Sequence, residues 1–125
     1  MIISPNTDVN VITASRQANL VSLPGIFTPS EAFVALKTGA TALKFFPAEA
    51  SNPAALKAFR AILPDNVRIL PVGGIGVDRM EAWLAAGAAG FGLGSALFKP
   101  GDHAAEVGIR AEAFVDMLKA RSEGC

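Results

Sequence analysis

Short apolar stretches alternate with helix-like stretches along the whole of this chain, five of each, and no Asn-Gly or Asp-Gly pair signals a hairpin between them. Strands separated by helices cannot pair antiparallel through tight turns. They must lie parallel and connect through right-handed crossovers. The strand patterns are Met1 to Ser4, Leu20 to Leu23, a run through Lys44 ending at Pro47, Val67 to Val72, and Phe91 to Leu93. Between and after them, helices are predicted from Asp8 to Ala18, Thr28 to about Lys37, Asn52 through Ile62, Asp78 to Ala86 and Ala104 to Ala120. Thr28-Pro29-Ser30-Glu31 is a helix start by chemistry: a capping threonine, proline at the first helical position and glutamate at the third. Val11, Ile12 and Ser15 on the first helix, and Leu56, Phe59 and Ile62 on the third, form the expected inner faces. Thr38-Gly39-Ala40-Thr41-Ala42-Leu43 and Ala86-Gly87-Ala88-Ala89-Gly90-Phe91 resemble one another, as repeats of one βα unit would.

At 125 residues the chain reads as one domain. Its 11 basic and 11 acidic residues cancel and are scattered, so no basic stripe offers itself to nucleic acid or an anionic membrane. No signal peptide or apolar run of spanning length is visible, and one cysteine, Cys125, fits a reducing cytoplasm. The composition is 51% hydrophobic and 18% charged, with a mean hydropathy of +0.41. So apolar a small chain suits part of something larger, or one that buries much of itself against a partner.

Lys44 stands inside the apolar run Leu43-Lys44-Phe45-Phe46-Pro47. A primary ammonium there is costly to keep charged, so its pKa should fall, and a neutral amine attacks ketones to form a Schiff base. The plainer alternative is a strand-end lysine whose head snorkels to water. In parallel α/β folds ligands gather beyond the carboxyl ends of the strands. There this sequence places Ser4-Pro5-Asn6, Pro24-Gly25, Lys44 with Phe46, Gly73-Gly74 and Gly94-Ser95. Backbone N–H groups of Gly73, Gly74, Ile75, Gly94 and Ser95 could surround a phosphate; alternatively the glycines only make tight turns. Gly90-Phe91-Gly92-Leu93-Gly94 lacks the spacing of a dinucleotide fingerprint. His103 reads as an exposed cap, and Glu49 as a solvated loop acid or a group supporting the site. No residue set has metal-ligand spacing, and a single histidine leaves no Ser-His-Asp order.

These motifs resemble the 2-keto-3-deoxy-6-phosphogluconate and -phosphogalactonate aldolases. Leu43-Lys44-Phe45-Phe46-Pro47-Ala48-Glu49-Ala50 is similar to the family's Schiff-base strand, and Leu23-Pro24-Gly25-Ile26-Phe27-Thr28 to its preceding strand end. Pro71-Val72-Gly73-Gly74-Ile75 and Leu93-Gly94-Ser95 are similar to its phosphate loops. The resemblance implies a class I aldolase on a TIM barrel, a cytoplasmic homotrimer that needs no metal or cofactor. It would cleave a phosphorylated 2-keto-3-deoxy sugar acid to pyruvate and glyceraldehyde 3-phosphate. Carried over by position, Lys44 forms the imine, Phe46 packs on the substrate, Pro24 and Gly25 line the pyruvate end, and Gly73, Gly74, Gly94 and Ser95 hold the phosphate. Ser4-Pro5-Asn6 and Val72 resemble the phosphogalactonate branch rather than the phosphogluconate branch, since valine supplies no hydroxyl near the substrate C4. The match covers only the last five of eight βα units. The first three, with the family's general-base glutamate, an arginine and a Gly-Thr turn, are absent from residues 1–125, which are expected to form a single partial barrel with little turnover alone. A phosphosugar-binding fragment without chemistry, or an assembly piece, is the competing expectation.

Overall fold

The computed structural model describes residues 1–122; Cys125, the lone thiol, lies outside the described residues. The elements follow the βα alternation: β1 (Ile2–Ile3), α1 (Val9–Gln17), β2 (Ser22–Leu23), β3 (Gly25–Ile26), α2 (Pro29–Thr38), β4 (Leu43–Phe45), α3 (Pro53–Ile62), β5 (Ile69–Pro71), α4 (Val77–Ala85) and α5 (Ala104–Ser122). A short 3₁₀ turn, Ala48–Ala50, follows β4. Every named pairing is parallel: β1 with β2, β3 with β4, and β4 with β5. Neighbours in space are neighbours in sequence, which is the order that a succession of right-handed crossovers lays down. No helix among the described residues is long and apolar enough to cross a membrane.

Three expectations need correction. The second strand was expected to close at Pro24, but it continues beyond it as β3. Proline has no N–H to donate, so the ladder breaks there; its carbonyl still accepts from Lys44 N at 2.9 Å and carries the chain into the next pairing. The fifth strand, Phe91 to Leu93, is reduced to one parallel bridge between Val72 and Gly92. Gly92 N donates to Pro71 O at 3.0 Å, but no described strand stands on its far side to complete a ladder. Val11 and Ile62 face outward, and the inner faces are Ile12 with Ser15 and Leu56 with Phe59. After α3, Leu63 turns in where Ile62 does not.

The helix starts are chemically specified. Asp8 accepts from Asn10 and Val11 N–H, and Asn52 from Ala55 N–H. Thr28 and Glu31 form a reciprocal capping box ahead of Pro29. The helices cover one side of the sheet, where Ile26, Leu43, Phe45 and Ile69 meet Ile12, Leu56, Met80 and Trp83 with no more than 1% exposure. Phe45 is central: its ring lies 5.6, 5.4 and 6.0 Å from those of Phe27, Phe59 and Trp83. Burial of one such side chain contributes about 2–3 kcal/mol. Only one side of the sheet is covered in this way.

Candidate active site

Alternation along β4 decides where its lysine points. Leu43 and Phe45 are buried beneath the helices, so Lys44, between them, projects from the opposite face. There it lines a concavity of about 400 Å³ with Ile3, Leu23, Leu70, Val72, Phe91 and Leu93. Apolar surroundings hold the amine below the usual lysine pKa, with desolvation as the cause. Its Nζ sits 4.2 Å from the centroid of the Phe46 ring, and among the described residues it forms no salt bridge. A cation–π contact favours the ammonium. Desolvation opposes that and prevails in the direction of the shift.

Beside this concavity lies a smaller one of about 220 Å³, bounded by Phe46, Gly73, Gly74, Gly94 and Ser95. Val72, Gly92 and Gly94 belong to both walls, so the two cavities adjoin at the carboxyl end of β5. The loop after β5 turns through positive φ at Gly73 (106°) and Gly74 (64°), backbone that other residues enter only with strain. The N–H groups of Gly73, Gly74, Ile75, Gly94 and Ser95 donate to no acceptor among the described residues. A cluster of free backbone donors in a concave, glycine-rich wall suits an anion.

The sequence-predicted residues therefore divide. Lys44, Phe46, Val72, Gly73, Gly74, Gly94 and Ser95 share the two adjoining cavities. Pro24 and Gly25 line neither. Pro24 is fully buried, and Gly25 packs so closely on the Pro5 carbonyl that a side-chain carbon could not be accommodated. Thr7 Oγ1 donates to the Gly25 carbonyl at 2.9 Å and fixes this strand end from behind. Leu70 is an addition that the alternation Ile69-Leu70-Pro71-Val72 could have revealed. Glu49, expected as a solvated loop acid or a group supporting the site, has its carboxylate at the smaller cavity, on the turn that Ala48 N anchors to Val72 O at 2.8 Å. Its distance from the glycines in sequence concealed which of them it meets. His103 is exposed, and its backbone N–H donates to Glu106 Oε2 at 3.3 Å, the arrangement of a helix start. No three His, Cys, Asp or Glu among the described residues gather as a metal site would require.

A parallel βα sheet with an apolar-faced lysine beside a glycine-walled cavity is matched by the family model for KDPG and KHG aldolase over residues 1–107. The chain belongs to that aldolase family. It is 42% identical over 113 residues to the probable 2-dehydro-3-deoxy-6-phosphogalactonate aldolase of Rhizobium meliloti (strain 1021), covering 90% of this chain and 53% of that protein. With the 2-dehydro-3-deoxy-6-phosphogalactonate aldolase of Escherichia coli (strain K12) it shares 39% identity over 115 residues, 92% of this chain and 56% of the other. A solved structure described as native KDPGal superposes with a TM-score of 0.95 at 37% identity, over 98% of this chain and 59% of that one. The chain thus spans a little over half the length of the relatives it matches.

Proposed function

We propose that this chain carries the imine-forming lysine and the phosphate loops of a class I aldolase that cleaves 2-keto-3-deoxy-6-phosphogalactonate to pyruvate and glyceraldehyde 3-phosphate. The observation that carries the reading is the junction of two cavities: a desolvated amine in one, free backbone donors in the other, and Val72 between them. A six-carbon acid with a ketone at C2 and a phosphate at C6 would extend from the first into the second. Neutral Lys44 attacks C2, and loss of water leaves a protonated imine. When a base removes the C4 hydroxyl proton, the C4–O electrons form the aldehyde. The C3–C4 bond breaks, and its electron pair moves onto the iminium to give an enamine. Protonation at C3 and addition of water then release pyruvate and restore the lysine.

The general base is assigned to the βα units of the relatives that this chain does not span. The chain would be a single domain of five consecutive βα units of an eight-stranded TIM barrel. The assembled enzyme would be a cytoplasmic homotrimer. The relatives' names and the aliphatic Val72 favour the phosphogalactonate epimer over the phosphogluconate one. The test supplies the missing units from the Rhizobium meliloti relative, fused ahead of Met1, and follows pyruvate release. Cleavage of the galactonate epimer that Lys44→Arg abolishes is the expected result; activity indifferent to that change would refute the assignment.

A further inference from the structure

The cavity at the glycine loops has an unexpected charge. Of its lining residues only Glu49 is ionisable, and it is an acid. Its Oε2 lies 2.9 Å and its Cβ 2.8 Å from where a side-chain carbon would stand at Gly74; Oε1 lies 3.7 Å from the same point at Gly73. The residue is exposed, and its carboxylate has no hydrogen-bond or salt-bridge partner among the described residues. The Arg79 guanidinium also reaches this loop: its Nη1 donates to the Gly74 carbonyl at 3.0 Å and lies 3.7 Å from the same Gly74 point, but it forms no salt bridge with Glu49. A structural carboxylate would accept from the free N–H groups beside it. This one does not.

We propose that Glu49 sets the strength of phosphoryl binding by repulsion, keeping the loop donors from retaining a phosphorylated product. The inference rests on the phosphate reading of these loops and deepens it. A dianion held by Gly73, Gly74, Gly94 and Ser95 would sit a few ångströms from the Glu49 carboxylate. In a solvent-exposed setting that repulsion weakens binding about three- to tenfold. The backbone that carries Glu49 is held at the loops, because its turn is hydrogen-bonded to the end of β5. A lyase must let both products leave, and a site built from backbone donors alone would hold the phosphorylated one longer.

The test is titration of the ¹⁵N-labelled chain with inorganic phosphate, followed at the amides of Gly73, Gly74, Gly94 and Ser95. Glu49→Gln is expected to lower Kd about three- to tenfold, Glu49→Asp to stay near the parent, and the difference to shrink as KCl screens it. Equal or weaker binding by Glu49→Gln would overturn the inference and leave the phosphate site standing. A tightening that salt does not reduce, or that Glu49→Asp shares, would mark packing on Gly74 instead and also overturn it. If phosphate moves none of these amides in any variant, the phosphate reading itself fails and the inference with it.

Discussion

Lys44 experiences two opposing influences, an aromatic face that favours its charge and apolar walls that disfavour it. Because burial lowers its pKa, the unfolded chain binds a proton more readily than the folded one in the interval below the ordinary value of 10.5. Within that interval stability rises with pH, and below it the charged lysine carries its full cost. Lys44→Met should therefore raise the thermal midpoint at neutral pH, the gain shrinking as pH approaches 10.5, as a pH series of melting curves would show. A midpoint that falls at every pH would mean the amine is favourably held. Val72 offers a second test at this scale. In the fusion with the Rhizobium meliloti units, Val72→Thr should raise kcat/KM for the phosphogluconate epimer relative to the galactonate one by about tenfold. The sequence revealed Lys44 because a charge between Leu43 and Phe45 has only one sensible direction to point. It left Glu49 open between a solvated loop acid and a supporting group, since the turn that brings it to Gly74 is a contact across strands.

At the scale of elements, local chemistry was the legible part. Thr28, Pro29 and Glu31 lie within four residues of one another, and the capping box forms as their types require. Glu31 Oε2 accepts from both Phe27 N and Thr28 N at 2.8 Å, which holds its pKa down, the bond from Phe27 foremost. Its contribution is present above the ordinary value of 4.5 and lost as pH falls through the lowered one. Thr28→Ala should cost about 1 kcal/mol in urea denaturation. Gly74→Ala combines a positive φ with a contact on Glu49 and should cost about 1–3 kcal/mol while displacing the loop donors. What the sequence concealed was pairing. Pro24 reads as a terminator but only interrupts its strand, and Phe91 to Leu93 has strand character without a full ladder. Ile62 and Leu63 are both apolar, so which one turns inward depends on how α3 ends.

The whole molecule has one covered sheet face and one open one. Met1 and Ile3, on the open face, are 69% and 58% exposed, and among the described residues the outermost strands each have a free side. Open parallel edges and apolar surface favour association. The chain alone should elute above its 12.9 kDa monomer mass in size-exclusion chromatography. The hydrophobic composition foretold that surface, whereas the concave shape that gathers Ile3, Leu23, Leu70 and Phe91 around Lys44 emerges only from the fold. The open face also divides the chemistry. On the proposed reading the amine and the anion loops both lie on this chain, so imine formation would need nothing further, whereas general-base proton transfer, worth roughly 10²–10⁴-fold in rate, would. Borohydride reduction of the chain incubated with pyruvate, followed by peptide mass mapping, examines the first step in isolation. One reduced pyruvate adduct is expected, on Lys44, absent from Lys44→Arg; an adduct spread over the surface lysines, or none on Lys44 when the chain is folded, would overturn the assignment of Lys44.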